Sequence, residues 1–296
     1  MSHHKEYLHL HFIVILWGFT AILGLLITMP VLEMVFLRTV IATLALGLIV
    51  HGRKLEMNFS RRELFKVIAT GVLFAGHWLL FFGAAREANA SVALVGYATA
   101  TFWISLLEPV IARSRINKME VVLGIIVMFG IYIIFQSDFN SALGLAMAIG
   151  CGFLAGIYAI LNKQFTVKHN HLVLTYLEMF GAAIFIGVFL PIFALLIKPE
   201  YELSIMPTPM DWVYLLILSL VCTVYTISTS IKIMKKLSAY AVSLTLNLEP
   251  VYGIILALLI FGDSEKMQTG FYIGSAIIIA SVLGYPVANR GKRISV

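Results

Sequence analysis

AYAVSLTLNLEPVYGIILALLIF, residues 239–261, carries a single charged side chain, Glu249. About 20 mainly apolar residues cross a bilayer as a helix. A surface helix of a soluble domain keeps a charged face opposite its apolar stripe. This stretch has none, so it reads as a membrane span.

The same reading extends in both directions. Apolar runs separated by charge clusters give ten spans, at Leu8–Ile27, Leu32–Val50, Leu64–Phe82, Ala90–Ile111, Val121–Phe135, Ala142–Leu161, Leu172–Ile197, Asp211–Ile231, Ala239–Phe261 and Gly270–Val287. Composition agrees. Hydrophobic residues make up 60% of the 296 and charged residues 12%, against roughly 45–50% and 25% in soluble domains. The expected fold is an all-α integral membrane protein of ten transmembrane helices. The first run lacks a small-x-small cleavage site and is read as a span, not a signal peptide.

Charge placement orients the chain. Of the 21 Lys and Arg residues, 17 fall in alternate loops and tails on one side. Only Arg86, Lys198 and Lys266 fall on the other, and Arg38 lies inside a span. The basic side is expected to be cytoplasmic, with both termini there, in a bacterial cytoplasmic (inner) membrane. The net charge of +6 is then topological. No basic run carries interleaved aromatics, so nucleic acid is not an expected partner.

The two halves, 1–140 and 141–296, echo each other. Ser91-Val92-Ala93-Leu94 lies 150 positions before Ala241-Val242-Ser243-Leu244, and Gly124 lies 150 before Gly274. Gly18-Phe19-Thr20-Ala21-Ile22-Leu23 matches Gly156-Ile157-Tyr158-Ala159-Ile160-Leu161 at an offset of 138. An odd number of spans per half makes the repeats inverted, a frequent basis for alternating access. The other reading is duplication in a passive channel or a non-transporting scaffold.

Five charged residues interrupt the spans: Glu33, Arg38, Glu108, Glu178 and Glu249. Each is costly at the bilayer centre facing lipid. Glu33 and Glu108 lie near span ends and are expected to snorkel to the interface. Arg38 lies ~9 Å below the outer end of its span at the helical rise, and Glu178 is similarly placed from the inner end of its own. Glu249 is ~20 Å from Lys236 and from Asp263, the charges that flank its span, and so near the midplane. A midplane carboxylate needs a partner, a cavity or a proton, so Glu249 is a candidate for substrate binding or proton coupling, and Glu178 is a second proton candidate. Arg38 either holds a substrate carboxylate bidentately or pairs with Glu178 or Glu33. Pro250 removes the bond to the Leu246 carbonyl and is expected to kink its helix.

Around these charges stand further candidate binding residues: Trp17, His77, Tyr97, Thr101, Tyr158, Tyr225 and Asn247. Tyr97, Thr101, Ser105 and Glu108 share one helical stripe, and Thr245, Glu249 and Tyr252 form the corresponding one. For the aromatic residues and His77, packing competes with a lining role. Gly144, Ala148, Gly152 and Gly156 recur every four residues and permit close helix approach. Cys151 and Cys222 lie in apolar runs and read as packing residues. No metal-ligand spacing, phosphate-cradling loop or nucleophile elbow occurs, so no metal, cofactor or enzymatic activity is expected.

Trp17-Gly18 and Phe36-Leu37-Arg38 resemble the opening of EamA-type members of the drug/metabolite transporter superfamily. Leu248-Glu249-Pro250-Val251, Phe261-Gly262-Asp263 and Gly270-Phe271-Tyr272-Ile273-Gly274 resemble the family's last two spans. Asp263 departs from the family's usual Glu. At offset 150 the first half has Thr99-Ala100 in place of Glu249-Pro250, and Arg113 in place of Asp263; its own Leu107-Glu108-Pro109 comes nine residues later. The resemblance implies two inverted five-helix repeats, a central cavity lined by spans 1–4 and 6–9, and spans 5 and 10 at the periphery. It also implies secondary transport of small organic solutes, with export of amino acids or related metabolites. Expected partners are that solute and the bilayer, with a homodimer as one oligomeric option.

Overall fold

The computed structural model describes residues 4–111, 118–137, 141–166, 168–201, 203, 206–234, 245–246 and 248–288. Among them every regular element is helical: α1 (His4–Leu26), α2 (Val31–Gly52), α3 (Arg61–Glu87), α4 (Ala90–Ala98), α5 (Ala100–Ile111), α6 (Lys118–Ser137), α7 (Ala142–Thr166), α8 (His171–Ile192), α9 (Pro209–Leu216), α10 (Thr226–Met234), α11 (Glu249–Phe261) and α12 (Thr269–Ala288). Phe193–Ile197 extends α8, and Ile217–Tyr225 joins α9 to α10, both as π-helix. Seven of the resulting helices are long and apolar enough to cross a membrane, and Val122–Gln136 and Thr269–Ser281 are shorter apolar helices. The protein is multi-pass.

Polar side chains set where the helices begin. Ser60 accepts from the Glu63 N–H while Glu63 accepts from the Ser60 N–H. This reciprocal box starts α3 at Arg61, before the Leu64 expected from hydropathy. Asn89 caps α4 through the Val92 N–H at 2.9 Å. Thr208 and Asp211 box the start of α9, where Pro209 occupies the first turn and its missing N–H costs nothing.

The fourth span, Ala90–Ile111, has the expected extent but carries a break at Thr99, between α4 and α5. The Thr99 N–H bonds the Gly96 carbonyl at 3.1 Å, and the Thr99 hydroxyl donates to the same oxygen at 2.6 Å. That competition from a threonine side chain separates α4 from α5. Pro250 stands in the first turn of α11, behind Leu248 at the N-cap, where proline is tolerated; residues 235–244 and 247, ahead of it, lie outside the described residues.

The main core joins α1, α2, α3, α4, α7 and α8. The glycine stripe of α7 faces α3, α4 and α5. A Cβ at Gly152 would meet Thr99 Oγ1 at 2.5 Å, and one at Gly144 would meet the Ala88 Cβ at 2.6 Å. Likewise a Cβ at Gly18 would stand 2.8 Å from the Gly253 nitrogen, so α1 and α11 touch backbone to backbone. α6 and α12 pack on each other around Ile131, Ile134 and Ile278, in a separate cluster that reaches the rest through Val92 and Val95 of α4. Outward faces are apolar, as a bilayer demands: Ile125 and Phe129 of α6 are exposed.

Candidate functional site

Arg38 of α2 is buried. Its Nε and Nη2 donate to Thr223 Oγ1 at 3.2 and 2.9 Å. Thr223 lies in the π-helical segment and donates its own proton to the Leu218 carbonyl five residues back. The guanidinium carbon sits 3.6 Å from the Trp78 ring centroid and 5.5 Å from that of Phe82, a cation–π arrangement. Its Nη1 has no hydrogen-bond partner among the described residues. Arg38 therefore pairs with neither Glu178 nor Glu33, the two partners its position had allowed.

Glu178 of α8 is fully buried. It accepts a proton from the Tyr158 hydroxyl at 2.9 Å, and Asn162 in turn donates to the Tyr158 oxygen. The Thr70 hydroxyl lies 3.4 Å from the other carboxylate oxygen. Phe74 meets both Tyr158 and Trp78 edge-on, at 4.6 and 4.4 Å between centroids. One aromatic row on α3 thus joins the arginine group to the glutamate group.

The same helix carries His77. Its Nδ1 lies 3.0 Å from Cys151 Sγ, and its ring lies 5.5 Å from that of Tyr97. Tyr97 and Cys151 are within electrostatic reach of Glu249, and His77 is within reach of Arg38. Glu249 stands at the start of α11, half-buried. Its carboxylate forms no hydrogen bond or ion pair with a described residue.

The remaining candidates lie around this centre. Trp17 Nε1 donates to Thr226 Oγ1 at 2.9 Å. Tyr225 is exposed and meets His9 at 2.7 Å, while Tyr252 meets His11 at 2.8 Å. Thr101 is exposed and donates to the Ala98 carbonyl, so it stays apart from the central groups. Glu108 reaches the surface and pairs with Lys163 at 3.2 Å. Asn247 and the 241–244 segment lie outside the described residues.

Glu33 corrects the expectation of snorkelling. It is fully buried and accepts from the Tyr201 hydroxyl at 2.6 Å. Burial, then the bond to Glu33, hold the Tyr201 phenol well above its ordinary range, so it remains the donor. Close by, Asp211 accepts from the Thr28 N–H and hydroxyl at 2.7 and 2.8 Å. Arg86 donates to the Gly24 and Ile27 carbonyls at 3.1 and 2.8 Å, where a cation complements the free carbonyls of a helix end. These contacts tie together the neighbouring ends of α1, α2, α3 and α9.

The EamA-like transporter family model matches this chain twice, over residues 5–136 and 142–285. The chain belongs to the EamA-like transporter family. A curated relative, the uncharacterized transporter YxxF of Bacillus subtilis (strain 168), is 28% identical over 140 residues. That match covers 47% of this chain and 44% of the relative, so the chain spans under half of that protein's length. A solved crystal structure aligns over 99% of this chain and all of its own, with a TM-score of 0.64 and 16% identity, a likeness of fold alone.

Within this EamA-like chain, sequence reasoning missed Thr70, Asn162, Tyr201 and Thr28 as partners. Each is a common polar residue. Only tertiary packing brings Thr70, Tyr201 and Thr28 to a buried carboxylate, while Asn162 bonds Tyr158 within its own helix.

Proposed function

We propose that this protein is a secondary transporter of small organic solutes, exporting amino acids or related metabolites by alternating access. The observation that carries the reading is a pair of opposite charges left open inside apolar helices. Among the described residues, Arg38 keeps an N–H group without a hydrogen-bond partner in a buried site, and the Glu249 carboxylate has no hydrogen bond or ion pair. An uncompensated charge at such depth is expensive, and a solute bearing a carboxylate and an ammonium would satisfy both. Aromatic rings between them supply surface for the solute's apolar part.

Two inverted five-helix repeats are the proposed frame, with both termini in the cytoplasm of a bacterial cell. The separate family matches to each half support duplication. So does one helix boundary: α4 gives way to α5 at Thr99, and α11 begins at Glu249, 150 positions on. Helix pairing agrees as well. Exchanging each span for the one five places on carries the third–sixth contact onto the eighth–first, and the fourth–sixth onto the ninth–first. The second–seventh and fifth–tenth contacts map onto themselves. The polar ties among α1, α2, α3 and α9 would then close the outer face in this state, while the site is offered to the cytoplasm.

The test is counterflow of an amino-acid panel in proteoliposomes, with and without a pH gradient. Saturable counterflow is expected, with apparent affinity for a carboxylate solute weakened in Arg38→Ala. Linear flux without counterflow would instead make the protein a channel, and no flux of any solute would favour a scaffold.

A further inference from the structure

We propose that the basic end of the α2–α3 turn binds an anionic phospholipid from the adjoining leaflet. A cavity of about 290 Å³ opens there, lined by His51, Met57, Phe59, Leu64, Tyr176 and Phe180. Phe59 stacks on His169 at 4.0 Å, and the buried His169 Nε2 has no hydrogen-bond partner among the described residues. Flanking the cavity in sequence, Arg53, Lys54, Arg61, Arg62 and Lys66 are exposed, and none of their side chains is bonded to a described residue. The nearby acids are engaged elsewhere. Glu56 accepts from Asn58, and Glu63 caps α3 and lies 3.9 Å from Lys168.

The neighbouring membrane surface supplies the occupant's other half. Leu44 and Leu48 of α2 and Phe180 and Ile184 of α8 are exposed at helical spacing that leads from the cavity along the two packed helices. A basic rim over an apolar seam matches a phosphate on an acyl chain. The cavity lies at the lower edge of ligand-pocket sizes, so it takes the glycerol neck while the acyl chains lie along the seam. A soluble anion would use the rim but gain nothing from the seam, and a zwitterionic lipid the reverse. This proposal needs only the basic face and stands apart from the transport reading.

The test uses the full chain, delipidated in detergent and followed by native mass spectrometry. The probes are phosphatidylglycerol and phosphatidylcholine with the same acyl chains, with glycerol 3-phosphate as competitor. Phosphatidylglycerol adducts are expected at about tenfold lower lipid concentration than phosphatidylcholine adducts. Replacing Arg53, Lys54, Arg61 and Arg62 together by Gln should abolish that preference. Leu64→Trp fills the cavity, keeps every charge, and should weaken retention of both lipids; it decides the matter if the fourfold variant does not fold. Equal retention of the two lipids by the unaltered chain overturns the proposal. So does full displacement by glycerol 3-phosphate, or a preference that neither variant changes.

Discussion

Arg38 stands over Trp78, 3.6 Å from guanidinium carbon to ring centroid, while Thr223 Oγ1 accepts from its Nε and Nη2. Ring and hydroxyl together restrain the guanidinium and so the direction of Nη1, which has no hydrogen-bond partner among the described residues. A carboxylate approaching along that direction meets a group already oriented, which limits the entropy lost on binding.

Charge alone should therefore not suffice at this position. Arg38→Lys keeps the charge but loses the planar fork and the stack. Both Arg38→Lys and Arg38→Ala are expected to weaken apparent affinity for a carboxylate solute about tenfold or more, a loss of ~1.4 kcal/mol. Counterflow against solute concentration measures it. Wild-type affinity in the lysine variant would show that the plane is unimportant.

Glu249 is expected to behave differently. Glu249→Gln is nearly isosteric and removes the ionisable proton. If this carboxylate carries the coupled proton, the variant keeps counterflow but loses its response to a pH gradient. If it holds a substrate ammonium instead, affinity falls and the pH response of residual flux survives. Unchanged affinity and unchanged pH response together would remove Glu249 from the site.

Much of the fold could be read from residue order, because span length and loop charge are local properties. The ends of α3 and α9 are set by Ser60, Glu63, Thr208 and Asp211 over three or four residues, so they too are encoded nearby. The site divides along the same line. Arg38, Glu178 and Glu249 stand out in any apolar run, since a charge there needs explanation. Their partners do not. Thr223 and Arg38 are 185 positions apart, and Tyr201 and Glu33 are 168 apart. Nothing in a lone threonine or tyrosine says which distant helix will reach it. Glu33 illustrates the failure, because closeness to a span end suggested water whereas Tyr201, beyond the end of α8, covers it.

Tyr158 offers a stability test that transport does not confound. Its hydroxyl is the nearest donor to the buried Glu178. Tyr158→Phe leaves that carboxylate with a single distant hydroxyl, which should cost about 1–3 kcal/mol. Thermal unfolding in detergent would show a lowered Tm. Restoring a neutral side chain with Glu178→Gln in the same background should recover part of the loss. A Tyr158→Phe variant as stable as the parent would mean that water, not Tyr158, satisfies Glu178.

In the proposed orientation, the contacts of Arg86, Asp211 and Glu33 should act as a latch on access from outside. Arg86→Met keeps much of the side-chain volume but frees the Gly24 and Ile27 carbonyls, and Asp211→Ala releases Thr28. Either change loosens the end of α1 from α3 or α9. Cys222 is a native reporter, buried and eleven residues along its span from Asp211, or ~16 Å at the helical rise. In each variant, maleimide applied from outside sealed vesicles should modify Cys222 several-fold faster than in the unaltered chain, read from the mass of the peptide carrying it. The pH dependence separates the arms of the latch. Tyr201 stays protonated through neutral and mildly alkaline pH because burial and Glu33 hold its phenol high, so its bond to Glu33 persists there. Labelling of the unaltered chain should accordingly remain slow between pH 6 and about 9, after correction for the reagent's own pH dependence. Rapid labelling of the unaltered chain within that range, or variants that label no faster while keeping their helical content, would leave these contacts as packing without a gating role.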